Sequence, residues 1–150
     1  MNVVGALAPY DPTGPRFVFA TRRKADGRYD AAAHLAFVRG PVAELPEEAP
    51  ADDRRARPCV VVVDNYSVHH SHPVKEATPG LEEQGVRFCF LPAYSPELNP
   101  IEALWKQVKH QDLPERSHPT DLALQAAVEE ALADRARRLR EATHDLPRSA

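Results

Sequence analysis

Apolar residues come in short bursts along this chain, and the spacing within each burst predicts its element. Val3 to Leu7 and Phe17 to Thr21 read as two strands. Between them Ala8-Pro9-Tyr10-Asp11-Pro12-Thr13-Gly14-Pro15 is dense in turn formers, which predicts a hairpin. Asp30 is placed to cap a helix that carries Ala31, His34, Leu35 and Val38 on one face, and Gly40-Pro41 should end or kink it. Residues 46–58 are polar, charged and bounded by prolines, so an exposed loop is expected. Cys59-Val60-Val61-Val62-Val63 follows without alternation. Such a β-branched run predicts a strand buried on both faces, as in a parallel sheet covered by helices.

A helix over Pro73 to Gln84, interrupted near Pro79-Gly80, leads through Gly85 to the strand Val86 to Leu91. After a loop, Asn99 is expected to cap a helix with Pro100 at its first position and with Ile101, Leu104, Trp105 and Val108 as its apolar stripe. A last helix is expected from about Asp121 to Thr143, lined by Leu124, Val128, Ala131, Leu132 and Leu139. Arg135, Arg137, Arg138 and Arg140 crowd its second half, where cations complement the helix dipole. The order β-β-α-β-α-β-α-α makes this an α/β chain. We divide it into a domain over residues 1–110 and a helical extension over 111–150.

Composition narrows the classes. The 150 residues suffice for one core. Apolar residues make up 43% and charged residues 27%, and no apolar run approaches a membrane span, so a cytoplasmic protein is expected. The start lacks the basic segment and cleavage site of a signal peptide. Cys59 and Cys89 lie in apolar runs and are expected to be reduced, buried thiols. A net charge of −3 argues mildly against this chain binding nucleic acid alone, though a catalytic domain can receive DNA from a separate basic domain.

Two carboxylates stand out. Asp64 ends the valine strand, at the edge where open α/β sheets bind ligands. Glu102 falls in the first turn of the helix after the next strand. If the strands are parallel neighbours, both acids reach one sheet edge and offer hard oxygen donors to a cation such as Mg²⁺. Each has a plainer reading. Asn99-Pro100-Ile101-Glu102 fits a capping box worth about 1 kcal/mol. Asp64-Asn65 fits a turn in which these side chains bond their own backbone. Local spacing leaves both open. His69, His70 and His72 match no structural zinc spacing.

The segment Val61-Val62-Val63-Asp64-Asn65-Tyr66-Ser67-Val68-His69 resembles the "hydrophobic strand, Asp-Asn-x-x-x-His" block of the DDE superfamily endonucleases, which include mariner-like insertion-sequence transposases. Leu91-Pro92-Ala93-Tyr94-Ser95-Pro96-Glu97-Leu98-Asn99-Pro100-Ile101-Glu102-Ala103-Leu104-Trp105 is similar to their "LPxYSPxLNPIExxW" block. Asn2 to Leu7, with the turn Asp11-Pro12-Thr13-Gly14, resembles the strand pair that precedes both, so the resemblance covers roughly residues 2–110. It implies an RNase H-like mixed sheet flanked by helices. It also implies three acids binding two Mg²⁺ or Mn²⁺ ions, with Asp64 as the second acid and Glu102 as the third. The implied reaction is hydrolysis at transposon ends followed by attack of the freed 3′-OH on target DNA.

By the same resemblance Asn65, His69, Tyr94, Ser95 and Asn99 stand at the site's edge or toward DNA. Tyr94 and Ser95 fit a turn role equally well. Lys106 and Lys109 are placed to touch phosphates, or else form a solvated helix face. Trp105 is expected in the core. The family's first Asp sits on a strand upstream of the "NVxGAL" strand, where this chain begins. Asp11 and Asp26 lie in turn sequence and do not replace it. The end-reading helix-turn-helix is also absent. The expectation is therefore a domain without its first, central strand, inactive alone and poorly stable unless an upstream transposase half, or a second copy as a dimer, supplies what is missing. Two frames joined by frameshifting would provide such a half, and the complete protein would work at the nucleoid. The alternative is a truncated or decayed product that at most binds full-length transposase. A cellular nuclease of the same fold is a more distant reading and would need a complete acid set.

Overall fold

Two short β-sheets, one antiparallel and one parallel, organise the protein in a computed structural model that describes residues 1–46, 55–113 and 117–142. The chain divides into two units, Met1–Arg28 with Pro100–Ala150, and Tyr29–Asn99.

In the first unit, β1 (Asn2–Ala8) and β2 (Arg16–Arg22) pair antiparallel, with Asn2 opposite Arg22 and Ala8 opposite Arg16. The turn chemistry expected between them is present. Gly14 N–H donates to Asp11 O at 2.9 Å, and Asp11 Oδ1 accepts from Thr13 N at 2.9 Å and from its hydroxyl at 2.6 Å. Gly14, at φ 111°, adopts a backbone that favours glycine. Helix α3 (Ile101–Gln107) runs into a π turn over Val108–Asp112, and α4 (Asp121–Glu141) follows. Thr120 caps α4 by accepting from Ala123 N–H at 3.1 Å. Phe17, Leu104, Val108, Val128, Leu132 and Ala136 make the core, with Trp105 half-buried against it as expected. The expected end of the last helix, Thr143, lies outside the described residues.

In the second unit, α1 (Ala31–Phe37) is capped by Asp30, whose carboxylate accepts from Ala33 N–H at 2.9 Å. The helix widens into a π turn over Val38–Val42 that absorbs Gly40-Pro41. Most of the loop expected over 46–58 lies outside the described residues. Strand β3 (Cys59–Val63), helix α2 (His72–Glu83) and strand β4 (Val86–Phe90) then form a β-α-β unit, with the strands parallel and Val63 opposite Phe90. Val38, Ala43, Leu45, Leu81 and Val86 form the core, and Cys59, Val61 and Phe88 pack against it.

Four expectations need correction. Strand β3 is buried on one face only: Val60 and Val62 are 61% and 54% exposed. Among the described residues its sheet has two strands, and α2 packs against β4. Cys89 is exposed and not buried, because it stands opposite Val62 on that same open face. Helix α2 passes through Pro79 without a break. Proline there removes one helical N–H, but Lys75, Glu76, Pro79 and Gly80 all lie on the exposed side, so water can solvate the freed carbonyl. Finally, α3 begins at Ile101, Pro100 holds the capping position, and no side chain caps that first turn. Proline has no side-chain acceptor, so the capping box expected from Asn99 does not form.

Candidate functional site

The C-terminal end of the parallel pair is tied together by side chains. Leu91 N–H continues the ladder to Val63 O at 2.9 Å. Asn65 then bridges the two strand ends. Its Nδ2 donates to Leu91 O at 2.9 Å, and its Oδ1 pairs with His70 Nε2 at 3.1 Å. The His70 ring stacks on Phe90 at 4.6 Å. The Asn65 amide is thus engaged at both atoms in holding the edge.

Asp64 leads out of β3 at this edge, with its side chain 52% exposed. Its Oδ1 accepts from Tyr66 N–H at 3.0 Å, so the turn reading of Asp64 is realised. The same oxygen lies 3.1 Å from His69 Nδ1. His69 Nδ1 also lies 3.0 Å from the Asp64 carbonyl oxygen. Both oxygens accept, so Nδ1 carries the proton in this contact. Oδ2 has no partner among the described residues.

Behind His69 lies a pair of residues that sequence reasoning did not assign to the site. His34, on α1, is 3% exposed, and its ring lies 4.6 Å from that of His69. Its Nδ1 shares a hydrogen bond of 3.1 Å with the Tyr29 hydroxyl. Burial first, and then the neighbouring His69, lower the His34 pKa to about 4. Burial raises Tyr29 well above the usual phenol value. A histidine inside the apolar stripe of α1 was the available signal. It predicted burial but not its neighbour 35 positions further along.

Tyr94 is fully exposed and sits at φ 58°, a left-handed conformation unusual for a bulky residue. Ser95 is half-buried and its hydroxyl approaches Ala93 O at 3.4 Å. Asn99 is half-buried.

Glu102 belongs to the other unit. It stands half-buried in the first turn of α3, and its carboxylate has no ion-pair partner among the described residues of that unit. Lys106 and Lys109 are exposed further along the same helix and its π turn.

The donor chemistry suits a hard divalent cation, since Asp64 and Glu102 both offer carboxylate oxygens. Among the described residues no three His, Cys, Asp or Glu side chains gather as a complete metal-binding set. Each acid, taken within its own unit, offers oxygen donors of the kind a divalent cation takes, and no complete donor set stands around either among the described residues.

Asp64 stands at the C-terminal end of a parallel strand, the edge at which open α/β sheets bind ligands. The chain belongs to the DDE superfamily endonucleases, whose family model matches residues 10–125. Asp64, Asn65, His69, Tyr94, Ser95, Asn99, Glu102, Lys106 and Lys109 all fall inside that span. Nuclease chemistry on DNA follows from the family, whose enzymes generally use divalent metals. No curated protein and no solved structure matches the chain. No helix among the described residues is long and apolar enough to cross a membrane.

Proposed function

We propose that this chain is the acid-bearing C-terminal part of a transposase catalytic domain with an RNase H-like arrangement, cutting transposon ends and joining them to target DNA. Asp64 and Glu102 are the residues that would hold Mg²⁺ or Mn²⁺, as the second and third acids of the set. When bound, such ions supply Lewis-acid activation of the attacking water and stabilise the leaving 3′ oxygen. The chain's own residues do the rest. His69 and the Tyr66 amide hold one Asp64 oxygen and leave the other outward. Asn65 fixes the strand ends beneath it. Lys106 and Lys109 provide phosphate contacts, and Tyr94 and Ser95 face the DNA path. In this reading the remaining acid of the set comes from an upstream transposase half or from a second copy of the chain. The complete assembly works on DNA at the nucleoid, in the cytoplasm.

The observation that carries this reading is the Asp64 carboxylate. It stands at the C-terminal end of β3, inside the family match, with one oxygen held and the other open. The test is Mn²⁺ binding by calorimetry to the chain and to its Asp64→Ala and Glu102→Ala variants. Saturable binding that both substitutions abolish is the expected result. Binding indifferent to both, or no binding at all, would overturn the assignment and favour a decayed, non-catalytic product.

A further inference from the structure

His34 Nε2 is a buried side-chain nitrogen without a hydrogen-bond partner among the described residues. Leaving such an atom unsatisfied is costly, and an apolar residue of similar shape would avoid that cost. A polar residue kept there calls for a reason other than stability.

The surroundings supply one. The His34 ring meets Phe88 at 5.8 Å in a stacked arrangement and His69 at 4.6 Å. Its Nδ1 bond to Tyr29 fixes the plane of the ring. His69 in turn grips Asp64 through Nδ1, at its carbonyl oxygen and at Oδ1. An imidazole's χ2 well is broad and roughly two-fold, so His69 alone would swing its Nδ1 away from these oxygens. A fixed ring against its face narrows that well.

We propose that His34, oriented by Tyr29, is a positioning residue for Asp64 and acts through the ring face of His69. The inference rests on the reading of Asp64 as a metal-binding acid. Residues behind a ligand often set its orientation, and changing them typically weakens metal binding by about 10–100-fold.

Two variants separate positioning from simple core filling. His34→Leu fills the space without a planar face, whereas His34→Phe keeps the face. The first readout is the ¹⁵N signature of the His69 tautomer in the metal-free chain, with the amide spectrum confirming the fold. The second is Mn²⁺ affinity, measured alongside Asp64→Ala. His34→Leu is expected to lose the Nδ1–H signature and to bind Mn²⁺ about tenfold more weakly, and His34→Phe, which keeps the ring face but not the Tyr29 bond, to fall between the native chain and His34→Leu in both. A signature kept in His34→Leu, or lost equally in both variants, overturns the proposal. Mn²⁺ binding unaffected by Asp64→Ala overturns the metal reading instead, and the metal-free His69 signature still decides the positioning role.

Discussion

Burial holds His34 neutral over the range in which an ordinary histidine titrates. Its folded pKa of about 4 lies below the ordinary value of 6.5, so the unfolded chain binds the proton more readily. The stability linked to this residue is complete above about pH 6.5 and is lost as pH falls toward about 4, by on the order of 3 kcal/mol at the limit. Tyr29 and His69 are the titratable groups that face it. Urea unfolding at about pH 7 and about pH 4.5 should show this loss in the native chain and a clearly smaller one in His34→Leu. Equal losses in the two chains would place the acid sensitivity elsewhere. From sequence, Asp64, Asn65 and His69 were legible because they share one short segment. His34 was not, because its contact with His69 is made by tertiary packing and leaves no local spacing to read.

Among the elements, β1 lies close against the aromatic pair of its unit. A Cβ placed on Gly5 would lie 2.8 Å from ring atoms of both Phe17 and Trp105, which meet edge to face at 5.8 Å. Gly5→Ala should therefore cost about 1–3 kcal/mol by overpacking, read as a lower denaturation midpoint with an unchanged slope. Asp112 closes the π turn after α3 from a nearly buried position. It accepts from Arg135 Nε at 2.8 Å and from Arg138 at 3.1 Å. Asp112→Ala would leave Arg135 largely buried without that carboxylate, at a cost of about 3 kcal/mol in the same assay. A loss under about 1 kcal/mol would mean that water takes the place of the carboxylate. Element order was readable from β-branched runs, caps and turn residues. The open face of β3 was not, because consecutive valines look alike whether one side of the strand is covered or both. The passage of α2 through Pro79 also escaped prediction, since the cost of that proline depends on whether the freed carbonyl meets water.

Over the whole molecule, charge limits what this chain offers to DNA. Net charge is −3, and the arginines of α4 are already engaged: Arg135 and Arg138 with Asp112, and Arg137 and Arg138 with Asp134. The segment that looks most basic in sequence is engaged in ion pairs with Asp112 and Asp134, a distinction that composition cannot draw. The chain order of the two units has a kinetic consequence. The second unit is continuous from Tyr29 to Asn99, whereas the first takes its hairpin from the start of the chain and its helices from beyond Pro100. As the chain leaves the ribosome, Phe17 emerges more than a hundred residues ahead of Leu132, its partner in the core. The apolar side of the hairpin must wait for nearly the entire chain, while the β-α-β unit has all its parts much sooner. Contacts this distant in sequence form slowly. Pulse-labelled hydrogen exchange during refolding should protect Val61 and Phe88 before Phe17 and Leu132. The reverse order would mean that the hairpin finds its helices without waiting, and that synthesis exposes no vulnerable intermediate.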